Sequence, residues 1–238
     1  MKIALIGYGK MGKAIEKIAL EQGHELVLKI SSRNKQDLTV DALKKADVAI
    51  EFTVPELATK HIQMCFKAQV PVAVGTTGWY KDLDLVEQLR QQHNGTLLTA
   101  SNFSIGVNIF FEINERLAAL MAKRKDYSAL IQETHHIEKL DSPSGTAITL
   151  ADGIIKQHAH YNNWKNEAKE TDNDLEILSF REPNVPGTHE IIFDSNIDQI
   201  SIKHEAKNRK GFALGAVLAA EFIHDKKGIF TMKDVLKN

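Results

Sequence analysis

The chain has 238 residues, 43% hydrophobic and 26% charged, which is enough for one large domain or two modest ones. A formal net charge of −1 excludes an overall basic field that would gather nucleic acid, so any anion has to be bound locally. A lone cysteine, Cys65, excludes an internal disulfide, and no apolar run approaches the roughly 18 residues of a membrane span. The opening MKIALIGYGKMG runs into patterned sequence without a cleavable signal, so a cytoplasmic protein is the expectation.

In chain order, short β-branched apolar runs predict strands at Lys2–Ile6, Leu26–Ile30, Val48–Phe52, Val72–Val74 and Leu97–Thr99. Apolar residues three and four apart predict helices near Met11–Gln22, Pro55–Ala68 and Asp82–Gln92. That alternation implies a parallel sheet covered on both faces. A long helix is predicted over Gly106–Lys123, a strand over Tyr127–Thr134 and a helix over Thr146–His160. The segment Tyr161–Asp174 is polar and charged enough to be a mobile connection. Three strand-like runs follow without helices between them, Leu175–Phe180, Glu190–Asp194 and Gln199–Lys203, and so predict a mixed or antiparallel sheet. A last helix is predicted over Phe212–His224. The expected class is α/β: a first domain with a parallel sheet over 1–104, a smaller α+β domain with a mixed sheet over 105–211, and a tail, 212–238, packing back on the first.

Gly7-Tyr8-Gly9-Lys10-Met11-Gly12 matches G-x-G-x-x-G between a predicted strand and a predicted helix. The glycines allow a tight turn, close approach of a pyrophosphate and close helix–strand packing, and the helix N-terminus faces the phosphates. This is the pattern of a Rossmann-type doubly wound domain. The second strand ends in Ser31-Ser32-Arg33-Asn34, without the acid that holds the ribose hydroxyls of NAD. Ser32 and Arg33 there favour a 2′-phosphate, so NADPH is expected to serve at least as well as NADH.

Glu133-Thr134-His135-His136-Ile137-Glu138-Lys139-Leu140-Asp141-Ser142-Pro143-Ser144-Gly145-Thr146-Ala147 lies between a predicted strand and a predicted helix. His135 is suited to proton shuttling near neutral pH, and Lys139 to proton donation or to stabilising developing negative charge. Ser144-Gly145-Thr146 offers hydroxyls and backbone N–H groups to a carboxylate at a helix start. With no H-E-x-x-H and no cysteine cluster, no metal is expected.

This segment resembles the signature E-x-H-H-x-x-K-x-D-A-P-S-G-T-A of the dihydrodipicolinate reductase family of lysine and diaminopimelate biosynthesis, with Ser142 where alanine is usual. Similarity extends through Glu51-Phe52-Thr53-Val54-Pro55, Gly75-Thr76-Thr77-Gly78, Ser101-Asn102-Phe103-Ser104, Pro186-Gly187-Thr188-His189-Glu190 and His204-Glu205-Ala206. The glycine turn is one residue shorter than the family's G-x-x-G-x-M-G. The resemblance implies His135 as proton donor and acceptor, Lys139 as proton donor, and His136, Ser144, Gly145 and Thr146 as ligands of a dicarboxylate substrate. It implies cofactor contacts from Gly7 to Gly12, from Ser32 and Arg33, from Phe52 and Thr53, from Gly75, Thr76 and Thr77, and from Ser101, Asn102 and Phe103. It further implies NADPH or NADH as cofactor, reduction of 4-hydroxy-tetrahydrodipicolinate, hinge closure, and a homotetramer built through the second sheet. The rival readings are another Rossmann reductase of amino-acid metabolism, such as an aspartate dehydrogenase-like enzyme, and a dinucleotide-sensing protein without turnover.

Overall fold

The structure is a computed structural model that describes residues 1–166, 168–208 and 210–237. It divides into two units, Met1–Ile105 with Lys210–Asn238, and Gly106–Arg209.

The first unit opens with β1 (Lys2–Ile6), α1 (Lys10–Glu21), β2 (Glu25–Ile30), α2 (Val40–Leu43) and β3 (Val48–Glu51). It continues through α3 (Pro55–Ala68), β4 (Val72–Val74), α4 (Leu83–His93) and β5 (Thr96–Thr99). The chain enters the second unit along α5 (Ile105–Met121) and adds β6 (Ser128–His135), α6 (Gly145–Gln157), β7 (Asn163–Asn166), β8 (Asp174–Arg181), β9 (Thr188–Asp194) and β10 (Gln199–Glu205). It returns with α7 (Lys210–Ile223), β11 (Gly228–Phe230) and α8 (Met232–Leu236).

The first sheet is wholly parallel, in the order β11-β5-β4-β3-β1-β2. Its central strands are apolar on both faces because helices cover both: Ala4, Ile6 and Ala49 pack toward α3, whereas Ile3, Leu5 and Ile50 pack with residues of α1 and α7. Burial of each such Ile or Leu is worth roughly 1.5–3 kcal/mol, which holds the centre of the sheet despite the exposed edges. Strand order reverses between β1 and β3, and in open α/β sheets ligands bind at that switch, outside the carboxyl ends of the strands. Gly7 follows β1, and Phe52 with Thr53 follows β3, so the fold itself brings these segments together.

The second sheet is mixed, in the order β10-β9-β6-β8-β7: β6, β7 and β8 run parallel, and β9 and β10 antiparallel to their neighbours. One face packs on α5 and α6 through Ile131, Ile177, Ile191, Phe193, Leu150 and Ile154.

Two expectations need correction. The segment Tyr161–Asp174 is not merely a connection, because Asn163–Asn166 forms β7 at the sheet edge. Its Asn-Trp-Lys-Asn sequence carries no alternating apolar pattern, and backbone pairing with β8 decides it. Beyond His224, sequence patterning predicts no element, yet β11 pairs with β5, and α8 starts with a capping box between Thr231 and Asp234.

Candidate active site

In the first unit, Gly7 adopts φ +105°, and a Cβ there would fall 1.9 Å from the carbonyl oxygen of Phe52. Only glycine lets β1 turn so close to the end of β3. A Cβ at Gly12 would fall 2.4 Å from the Gly7 carbonyl oxygen, so helix and turn are in direct contact, while Gly9 faces open space. The first turn of α1 has no acidic residue and no side-chain cap, leaving its N–H groups and positive dipole end for an anion. These features fit a pyrophosphate.

Two cavities flank the turn. One, of about 430 Å³, is lined by Gly7, Tyr8, Gly9, Ser32, Thr53 and, from residues not anticipated, Lys35, Lys60 and His61. The other, of about 400 Å³, is lined by Gly7, Gly9, Lys10, Met11, Phe52, Thr53, Gly75, Thr76 and Thr77. Thr76 Oγ1 accepts from the Thr53 N–H at 2.7 Å, which ties the loops after β3 and β4 together. Under the first cavity, buried Glu51 accepts from Thr53 Oγ1 and lies 3.1 Å from Nδ1 of His61.

Gly12, Arg33, Ser101, Asn102 and Phe103 line neither cavity. Arg33 is exposed, beside the lining residues Ser32 and Lys35, and Phe103 is buried with its ring 5.5 Å from that of Phe52.

In the second unit, β6 alternates strictly, with Ala129, Ile131, Glu133 and His135 buried on the helix-covered face. Register places Glu133 opposite Ser179 of β8 and His189 of β9, and His135 opposite Arg181. The apolar face therefore turns polar over its last two rows. Nδ1 of His135 lies 2.9 Å from Oε2 of Glu133, at ion-pair distance without an aligned hydrogen bond. Oε1 of Glu133 accepts from the Ser144 N–H at 3.1 Å and from Arg181 at 3.4 Å. Burial pushes the Glu133 carboxyl up, but polar contacts with His135, Ser144 and Ser179 outweigh it and hold the group well below the usual carboxylate range. Burial, reinforced by His135, brings His189 down to about 3. Nε2 of neutral His189 is hydrogen-bonded to the Ser144 hydroxyl at 3.0 Å.

Glu133, His135 and His189 present ligand-type atoms within 4.8 Å of one another. Sequence spacing gives no sign of this trio, because His189 arrives through strand pairing.

Ser144 caps α6, its Oγ accepting from the Ala147 N–H at 3.2 Å, while Gly145 is exposed and Thr146 half-buried beside it. Ser144 is thus buried, and Gly145 faces open space. In the preceding loop Lys139 Nζ sits 2.8 Å from both carboxylate oxygens of Asp141, and Nδ1 of His136 3.0 Å from Oε2 of Glu138. Asp141 is 62% exposed and Lys139 20%, so the pair is open to solvent on its carboxylate side. The site residues that spacing did not reveal are Glu133, Ser179, Arg181 and His189. The signal for them is the shared period-two face of three strands.

A switch-point glycine turn with an uncapped helix start, joined to a second α+β unit, defines a Rossmann-type dinucleotide-binding protein. Models of the dihydrodipicolinate reductase N-terminus and C-terminus match residues 1–103 and 106–236, and the chain belongs to that family of oxidoreductases. It is 48% identical to 4-hydroxy-tetrahydrodipicolinate reductase of Christiangramia forsetii, over 100% of this chain and 98% of that protein. The Thermosipho africanus protein of the same name is 33% identical over the same shares. Among solved structures, a dipicolinate-bound dihydrodipicolinate reductase from Paenisporosarcina sp. TG-14 shares the fold, with a TM-score of 0.80 at 24% identity and 97% of each chain covered. No helix among the described residues is long and apolar enough to cross a membrane.

Proposed function

We propose that this chain reduces 4-hydroxy-tetrahydrodipicolinate to tetrahydrodipicolinate, using hydride supplied by bound NADPH or NADH and releasing water and the oxidised dinucleotide. The observation that carries the reading is the juxtaposition at the polar end of the second sheet. There a histidine paired with a buried carboxylate stands at a strand end, followed by a loop bearing a lysine and an open helix start.

In this reading the first unit is the dinucleotide-binding domain. Gly7 to Gly12 receive the pyrophosphate, and the remaining lining residues enclose the rest of the dinucleotide. Ser32 and Arg33, with Lys35 and Lys60, face a 2′-phosphate, and the 101–103 segment supports Phe52. The second unit is the substrate domain. Gly145 and Thr146 at the start of α6 receive one carboxylate of the cyclic substrate, and His136 assists with the other. Lys139 gives a proton to the electron-rich ring, and His135 exchanges a proton through Nε2, its Nδ1 being held by Glu133. Ser144 acts through its cap.

The open face of the second sheet carries Leu130, Leu178, Phe180 and Ile192, and Phe180 is 46% exposed. This supports self-association there as a homotetramer. With a single cysteine buried, a cytoplasmic enzyme of lysine and diaminopimelate synthesis is the consistent setting.

A coupled assay with freshly generated 4-hydroxy-tetrahydrodipicolinate, following NADPH and NADH loss in parallel, tests the reading. Turnover with either supports it, and pyridine-2,6-dicarboxylate should compete with substrate less effectively in Thr146→Val. Turnover only with aspartate or its imine favours the rival reductase. Dinucleotide binding without turnover of any substrate leaves the sensor reading.

A further inference from the structure

Arg181 ends β8 with a guanidinium directed at four oxygens. Nη2 donates to the Asp141 carbonyl at 2.7 Å, Nε to the Lys139 carbonyl at 3.4 Å, and Nη1 to its neighbour's carbonyl, on Phe180, at 2.8 Å and to Glu133 Oε1 at 3.4 Å. Two of these acceptors belong to the backbone on either side of Leu140, within the loop that carries Lys139. Little that is apolar holds residues 137–142, since Ile137 is 59% exposed and Leu140 98% exposed, and the buried apolar residue nearby is Pro143, at the end of the loop. Its shape depends on polar tethers, of which Arg181 supplies two and Asn166, donating to Ser142 Oγ at 3.1 Å, supplies another.

We propose that Arg181 is a positioning residue for the reduction: anchored on Glu133, the carboxylate that also faces His135, it holds the Lys139 loop so that both proton-handling side chains are referred to one buried group. The inference rests on the reaction proposed above. It explains why the residue is arginine. A planar fork spans acceptors on three segments at once, whereas a lysine ammonium at the same place is a point donor. It also explains the split role of Glu133, whose Oε2 serves His135 while Oε1 serves Ser144 and Arg181.

The test uses Arg181→Met and Arg181→Lys in the full-length protein, with two independent readouts. The first is steady-state kinetics: kcat should fall by about 10- to 100-fold in Arg181→Met, the scale of an ångström-level misplacement, while NADPH affinity stays within about twofold. Arg181→Lys should keep at least about a fivefold loss, since charge without the fork does not bridge the loop. The second readout is amide hydrogen exchange over residues 137–142 without substrate, which should quicken by about tenfold or more in Arg181→Met while β6 stays protected. This exchange reports the tether even if the parent protein reduces no dipicolinate-type substrate, so failure of the functional reading and failure of this inference are told apart. Unchanged exchange in Arg181→Met overturns the tether. Faster exchange with parental kcat overturns positioning. A fully active Arg181→Lys overturns the argument from the fork. If Arg181→Met does not fold, Arg181→Lys carries both readouts under the same criteria.

Discussion

Oε2 of Glu133 stands 2.9 Å from Nδ1 of His135, two residues further along the same face of β6. The carboxylate is buried, which disfavours its charge, yet contacts with His135, Ser144 and Ser179 outweigh burial and keep it ionised, and Arg181 also reaches Oε1. A buried carboxylate of this kind orients an imidazole and leaves Nε2 as the nitrogen that exchanges protons.

Lys139→Met and His135→Gln keep most of the side-chain volume while removing the ionisable group. Positioned proton transfer is typically worth about 10² to 10⁴ in rate, so each variant should lose kcat on that scale. NADPH affinity, followed by fluorescence titration, should stay within a few-fold of the parent. Near-parental kcat in both would make the loop structural.

Cofactor choice is expected to reside at the mouth of the larger nucleotide cavity. Arg33→Ala and Lys35→Ala should each reduce kcat/KM for NADPH, by about 10- to 150-fold where the residue makes a charge-assisted bond to the 2′-phosphate. Values for NADH should change far less. Comparing the two variants separates exposed Arg33 from Lys35, which lines the cavity. Equal losses with both dinucleotides would remove the residue concerned from 2′-phosphate recognition.

Gly187 precedes β9, and a Cβ built on it would lie 3.0 Å from Nε2 of His135. Gly187→Ala should therefore push the imidazole from its place against Glu133. Overpacking of this sort costs about 1–3 kcal/mol, measurable by urea denaturation, and kcat should fall while NADPH binding is retained. A variant with parental stability and kcat would show that the ring has room to spare.

His189 is held neutral in the fold, at about 3, by burial and by His135. Between its unfolded value near 6.5 and that value the unfolded chain binds the extra proton, so stability falls as pH falls, by about 1.4 kcal/mol per pH unit. Above about pH 6.5 the contribution is flat. His158 and His204, also lowered by burial, act in the same direction. The informative quantity is thus the difference between parent and His189→Gln: urea midpoints from pH 7.5 to 4.5 should show a shallower acid slope in the variant. Parallel slopes would mean that His189 already carries its proton in the fold.

The glycine turn, the helix after it and the alternation of buried strands with amphipathic helices are legible from spacing, because each depends on neighbours within a few residues. The Lys139 loop and the Ser144 cap are legible for the same reason. By contrast, Lys35 and Lys60 gain meaning only once α3 folds beside the turn after β2, and β7 has no apolar signature since the backbone of β8 holds it.

By itself the sequence determined most of the strands and helices, though not β7, β11 or α8, the glycine turn between β1 and α1, and which loop carries the ionisable side chains, since period and turn chemistry are local properties. Only the tertiary structure decided that buried Glu133, His135 and His189 and half-buried Arg181 form one polar group. They come from three strands, β6, β8 and β9, and their contact depends on parallel and antiparallel register across the second sheet. Register sets which side chains stand opposite one another, and a one-residue slip would send the whole set to the other face.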